Sequence, residues 1–271
     1  MTIPTIFPQR LSWWRRKRGL SQLQLAMNAA CSQRHISFLE LGRTKPSRDM
    51  VMRLSGALDL PLRQSNELLL AAGFAPAWAE TNLDAAQLAP IREALDYILA
   101  QQEPYPAFVV DRRWNMLQAN KGAVAMVTFL VGRIEPDAAI NLADALVGPD
   151  VLRPHLTNWS EVVRYFVRSV EADAVADATP DTAALLDRLL GYKDVRATLA
   201  DLPPAGGDTP VLPMHFEKGQ TKLRLFTTIV TLGMPQDITL QELRIESFFP
   251  MDGGTREAFR QWSPAAKRAR R

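Results

Sequence analysis

The sequence predicts an all-α N-terminal domain joined to an α+β C-terminal domain with an antiparallel sheet. Three observations carry this. The chain has 271 residues, which at roughly 100–200 residues per domain divides into two. Apolar residues recur at helical spacing through the first 75 positions, whereas short runs bounded by turn residues recur after position 104. The charge divides in the same place. Residues 1–75 hold 11 Lys/Arg against 4 Asp/Glu, and residues 76–263 hold 17 against 25. A basic module joined to an acidic one means that the first is the part suited to a polyanion.

Within the basic module, Leu11, Trp14, Leu20, Leu23, Leu25 and Ala26 recur at helix-like intervals. Arg15-Arg16-Lys17-Arg18 forms a basic last turn, and Gly19 ends that helix. Ser21 is a candidate N-cap for a helix over Gln22–Asn28. Ala29-Ala30-Cys31 is a turn of small residues. Ser32 caps a third helix, Gln33–Leu41, and Gly42 ends it in the left-handed conformation. Met50–Leu58 and Leu62–Ala72 complete the set. Helix, short turn, helix is the geometry that seats the later helix in the major groove. Ile36 and Leu39 face inward, while Gln33, Arg34 and Ser37 face out near the N-terminal half of the helix. Gln and Arg suit base edges because their planar forks pair bidentately with adenine and guanine. Ser32 and His35 lie beside them. Gln22 is placed for a phosphate or a base, and Arg43 and Lys45 for backbone phosphates.

The segment LSQLQLAMNAACSQRHISFLELGRTKPSRDMVMRLSGALDL resembles the helix-turn-helix domain of xenobiotic-response-element-type, Cro/repressor-like regulators. The resemblance places the family's base-reading positions on Gln33, Arg34 and Ser37, with Gln22 in support. His35 stands where a small polar residue is more usual, and Phe38 where a polar side chain is more usual.

After a connecting stretch over 79–103, helical at Leu88–Gln101, the pattern changes. Tyr105–Asp111 reads as a buried strand, Arg112-Arg113 as a turn, and Trp114–Asn120 as a second extended run. Lys121–Val131 reads as a helix. Helices are also predicted at Asn141–Val147, Val151–Leu156, Trp159–Ala176 and Thr182–Leu190. Pro203-Pro204-Ala205-Gly206-Gly207 is a loop. Strands follow at Val211–Lys218, Lys222–Leu232 and Leu240–Phe249, with Gly253-Gly254 as a turn signal. Strand, Asp-turn, strand, Asn, helix resembles the opening of PAS-type sensor domains.

CSQRHISFLELGRTKPSRDMVMRLSGALDLPLRQSNELLLAAGFAP, PYPAFVVDRRWNMLQAN, NWSEVVRYF and DITLQELRIESFFPMD resemble recurring blocks of the MmyB-like regulators, and the match spans nearly the whole chain. The resemblance implies a helix-turn-helix DNA-binding domain at 1–78 and a PAS-like ligand-binding domain at 104–263. It also implies a fatty-acid-like effector. A basic tail at 264–271 reads as a frayed, solvated end.

The acidic domain has residues with which to line an apolar pocket. The candidates are Phe108, Trp114, Met116, Phe129, Trp159, Val163, Phe166, Met214, Phe216 and Phe226, with Arg164, Arg168 or His215 for a carboxylate head. The alternative is that these aromatics form an ordinary core, and that the domain serves only dimerisation or protein interaction.

Other classes are disfavoured. The composition is 47% hydrophobic and 23% charged, which fits a folded globular chain rather than a disordered one. The single cysteine, Cys31, excludes a disulfide framework and a multi-cysteine metal site. The three histidines, His35, His155 and His215, are dispersed. No phosphate loop, dinucleotide fingerprint or nucleophile elbow occurs, so neither catalysis nor a cofactor is expected. No apolar run of membrane-spanning length and no secretion signal is found. The expectation is a cytoplasmic, nucleoid-associated protein that binds double-stranded DNA as a homodimer.

Overall fold

The computed structural model describes residues 4–132, 139–201 and 210–262. The predicted loop at Pro203–Gly207 and the basic tail at 264–271 lie outside the described residues. The chain forms two compact units, residues 1–81 with 234–241, and residues 82–233 with 242–271. The second stretch of the first unit was not foreseen from the sequence.

The first unit is helical: α1 (Phe7–Lys17), α2 (Gln22–Asn28), α3 (Gln33–Glu40), α4 (Arg48–Ala57) and α5 (Leu62–Ala71). Its core is Leu11, Trp14, Leu25, Ile36, Leu39, Leu54, Leu58, Leu68 and Leu69, all at most 1% exposed. The caps are those the sequence predicts. Ser21 and Gln24 form a reciprocal capping box, and the hydroxyl of Ser32 accepts the His35 N–H. Gly42 takes φ +69°, as a left-handed helix stop requires. The returning segment 234–241 pairs with this unit. Ile238 N–H donates to the Ala79 carbonyl at 2.9 Å, and Gln241 Oε1 accepts the Leu62 N–H at 2.8 Å, capping α5.

The second unit is α+β. Its elements are α6 (Ala89–Gln101), β1 (Ala107–Val110), β2 (Met116–Ala119), α7 (Lys121–Val131), α8 (Leu142–Val147), α9 (Trp159–Asp177), α10 (Pro180–Gly191), α11 (Val195–Ala200), β3 (Met214–Lys218) and β4 (Thr221–Val230). The chain then makes α12 (Ile238–Glu242), β5 (Arg244–Pro250) and α13 (Gly253–Trp262). The five strands form one antiparallel sheet in the order β2-β1-β5-β4-β3, so that the last strand pairs with the first.

Several expectations need correction. Val151–Leu156 holds only a single 3-10 turn at Arg153–His155. The predicted strand from Leu240 starts at Arg244, because Asp237 Oδ1 accepts the N–H groups of Thr239 and Leu240 and turns them into a helix start. Gly253-Gly254 opens α13 rather than a plain turn, with Asp252 Oδ1 accepting the Thr255 N–H at 2.7 Å. The short helix α11 was not predicted.

Two side chains organise the start of the sheet. Asp111 Oδ1 accepts the N–H groups of Arg113 and Asn115, closing the β1–β2 turn. Asn120 Oδ1 accepts from the Ala107 and Ala123 N–H groups at 3.0 and 2.8 Å. Its Nδ2 donates to the carbonyls of Leu99 and Tyr105 at 3.2 and 2.8 Å. One buried amide thus ties α6, β1 and α7 together. Beside it, Gly122 admits no side chain, since a Cβ there would run into the Pro104 carbonyl. Asn120→Ala leaves these buried backbone groups unpaired and is expected to cost about 2–4 kcal/mol. The measurement is the urea midpoint at unchanged m-value, and a loss under about 0.5 kcal/mol would show that the amide does not hold the junction.

Candidate nucleic-acid interface and ligand cavity

In the first unit, α2 and α3 are packed by Leu25, Ala26, Ile36 and Leu39, all buried. This packing fixes which side of α3 is free. Ser32, Gln33 and Arg34 are exposed at its start, and His35, Ser37 and Phe38 are half-buried. Arg43 and Lys45 are exposed just past its end. The guanidinium of Arg34 lies 5.1 Å from the Phe38 ring centroid, and that of Arg43 lies 5.9 Å from it. Phe38 is therefore a shelf under two cations, a role the sequence did not reveal.

The C-terminal end of α3 is braced. Glu40 accepts from Arg15 Nε at 2.6 Å and from Arg15 Nη2 at 2.9 Å, a bidentate pair. Gln22 Nε2 donates to the same carboxylate at 2.8 Å, so this amide is committed to the brace. Burial alone would push the Glu40 carboxyl up. The hydrogen bonds from Arg15 and Gln22, with the charges of Arg15 and Arg16, hold it below the ordinary value instead. Burial pushes the Cys31 thiol up, away from the reactive thiolate.

In the second unit two adjoining cavities share Phe108, Leu142 and Leu152 as walls. The larger, of about 800 Å³, lies among β1, β2, α7, α8 and the turn after α8. Its polar lining includes Thr128, Asn141, Asp144 and Tyr192. Asp144 Oδ1 accepts from Arg188 Nε at 3.0 Å and from the Tyr192 hydroxyl at 3.1 Å. Burial, then the neighbouring Asp144, pushes the Tyr192 hydroxyl above its ordinary value. The smaller of the two, of about 330 Å³, is walled by Trp114, Phe166, Met214, Phe216 and Phe248, with Thr227 and Glu246 in the lining. Both volumes are of the size that small-molecule sites take.

Of the predicted lining, Phe108 belongs to both cavities, Met116 to the larger, and Trp114, Phe166, Met214 and Phe216 to the smaller. The remaining candidates lie elsewhere. Val163 is fully buried core, and its neighbour Val162 takes the wall, because one residue turns a helix by about 100°. Phe226 stacks on Phe249 with centroids 5.3 Å apart, one residue out of phase with the lining Thr227. Phe129 packs on Trp262, and Trp159 lies under the Arg153 guanidinium at 3.6 Å. Arg164 is buried with Nε donating to the Thr198 carbonyl at 3.2 Å. Arg168 is exposed. His215 alternates with Met214 and Phe216 on β3 and so faces away from the smaller cavity. The polar lining, Glu246 above all, was missed. Its alternation with Phe248 on β5 was a usable signal.

Among the described residues no group of three or more His, Cys, Asp or Glu is placed to hold a metal ion. Also among them, no helix is long and apolar enough to cross a membrane.

A helix-turn-helix with an exposed Gln/Arg helix start, in one chain with a hollow α+β domain, defines a DNA-binding transcription regulator with a small-molecule ligand domain. Comparison with known families agrees: the helix-turn-helix profile matches residues 11–64, and the MmyB-like transcription regulator ligand binding domain matches residues 91–261. The chain belongs to the MmyB-like transcription regulators. No curated protein matches it closely enough to count as a relative.

The buried carboxyl of Glu246 gives a pH test. Burial pushes it from 4.5 up to about 7, against an opposing hydrogen bond with Thr227. Below 4.5 the group is protonated folded or unfolded and adds no pH dependence. Between 4.5 and 7 the unfolded chain loses a proton that the folded chain keeps, so stability falls as pH rises, and above 7 the penalty is constant. Glu246→Gln should therefore be more stable than the unaltered protein at pH 8 by on the order of 2 kcal/mol, with no gain at pH 4. Urea melts at the two pH values check this, and an equal effect of the substitution at both would contradict it.

Proposed function

We propose that the protein is a homodimeric, sequence-specific regulator of transcription, working in the cytoplasm on nucleoid DNA and controlled by a fatty-acid-like effector in its C-terminal domain. It acts by binding, without catalysis and without a cofactor. The observation that carries the reading is the start of α3. Gln33 and Arg34 are exposed there while Ile36 and Leu39 of the same helix are fully buried. Their forks suit base edges, with Ser37 on the same helix. Ser32 spends its hydroxyl on the cap, and Arg43 and Lys45 serve the phosphates. A two-fold dimer presents two such helices to half-sites about one helical turn apart.

The two cavities support the effector. Each buried methylene contributes roughly 0.8 kcal/mol, so a chain of about ten carbons offers about 8 kcal/mol before association costs. Control requires that the effector bind one arrangement of the dimer better than the other.

On an operator selected from random duplexes, Arg34→Ala is expected to lower specific affinity by about 1–3 kcal/mol and to leave random DNA nearly unaffected. Lys45→Ala should weaken both alike and flatten the salt dependence. Equal losses on operator and random DNA for Arg34→Ala would remove its base-reading role. Native mass spectrometry tests the rest. A two-chain mass that takes up long-chain fatty acids is expected. A clean dimer that no chain compound binds favours a purely dimerising C-terminal domain.

A further inference from the structure

The outward side of α3 carries an aromatic ring among its polar residues. Phe38 is half-buried, while Ile36 and Leu39 beside it are fully buried and already supply the core contact of the helix. Phe38 follows Arg34 by four residues, so the two side chains share one face of the helix. The Arg34 guanidinium lies 5.1 Å from the ring centroid and that of Arg43 lies 5.9 Å from it. Both arginines are exposed, so the ring belongs to the side of α3 that is open to a partner. Among the described residues Arg34 meets this ring and no carboxylate. Its planar fork is thus open to a group that accepts two hydrogen bonds at once. The fork of Arg15, by contrast, is taken by Glu40 at 2.6 and 2.9 Å.

We propose that Arg34 and Phe38 together read one base step: a guanine paired by the Arg34 fork, beside a pyrimidine whose 5-methyl group packs on the Phe38 ring. This rests on the reading that α3 enters the major groove, and it names the sequence selected there. Guanine offers O6 and N7 to one planar fork, and thymine offers a methyl group in the same groove. Consecutive bases of a strand rise about 3.4 Å and are turned relative to each other, so groups 5.1 Å apart meet neighbouring bases. Other bases fit the ring worse. A purine presents N7 and a polar exocyclic atom that a phenyl ring leaves unpaired, and cytosine presents an amine and no methyl. 5-Methylcytosine carries the same methyl as thymine, so methylated and unmethylated cytosine are told apart at this place. The attraction between the guanidinium and the ring also holds Arg34 in position before DNA arrives.

The test starts from operators selected out of random duplexes with the full chain. Each half-site is expected to hold a thymine beside a guanine. Replacing that thymine by uracil removes the methyl alone and is expected to weaken binding about fourfold, the worth of one buried methyl-sized group. With a cytosine·guanine pair at the same place, 5-methylation of the cytosine should strengthen binding by a similar factor. Phe38→Ala should bring the methyl-bearing and methyl-free duplexes to nearly equal affinity, and Arg34→Ala should remove the preference for the guanine. The duplex comparison on the unaltered protein decides the matter even if a variant does not fold. Equal affinity for duplexes with and without the methyl overturns the proposal alone, as do operators in which no thymine adjoins a guanine. A methyl preference that survives Phe38→Ala overturns the assignment to this ring. A selection that enriches no sequence overturns base reading by α3 and the proposal with it.

Discussion

The bidentate pair between Arg15 and Glu40 is the constraint on which the DNA-reading end of the molecule depends. An eight-residue helix such as α3 is too short to hold itself in water. Its apolar side, Ile36 and Leu39, fixes which face turns inward but leaves the helix free to slide along its axis. The Glu40 carboxylate removes that freedom. It receives two hydrogen bonds from α1 and one from the first residue of α2, and Arg15 Nη1 also donates to the Leu20 carbonyl. With the last turn of α3 fixed, the first turn projects Gln33 and Arg34 at a set height. Phe38 adds a flat surface on which the long Arg34 and Arg43 side chains rest, lowering the entropy lost when they meet a ligand.

The second unit answers a different demand, that of keeping a domain hollow. A folded interior normally closes on itself at crystal-like density. Here the polar ties of Asp111 and Asn120 hold the edge of the sheet and the start of α7, so the walls do not depend on filling the space between them. The network is satisfied at nearly every atom, as a buried polar cluster must be if it is to contribute stability.

Much of this could be read from the sequence, and the failures have physical causes. Caps and stops were legible because Ser21, Ser32, Asn120 and Gly42 act on their own neighbours. The exposed and buried sides of α3 followed from periodicity. The register of a wall did not. Val162 rather than Val163, and Thr227 rather than Phe226, face the cavity, and only the tertiary position of α9 and β4 decides that. Aromatic bulk misled for the same reason: Phe129, Trp159 and Phe226 are large and apolar, yet they pack on other rings or under a cation. The return of residues 234–241 to the helical unit had no local signal, because it depends on Ala79 and Leu62, more than 150 residues earlier. Glu246 was hidden by its charge, which ordinarily marks a solvated face.

Hydrogen exchange of the full chain, with and without a duplex selected from random sequences, shows whether the start of α3 meets the DNA. New protection is expected in the first turns of α3 and in the segment through Arg43 and Lys45, with α4 and α5 little changed. Protection that appears elsewhere in the chain and leaves α3 unaltered would contradict it.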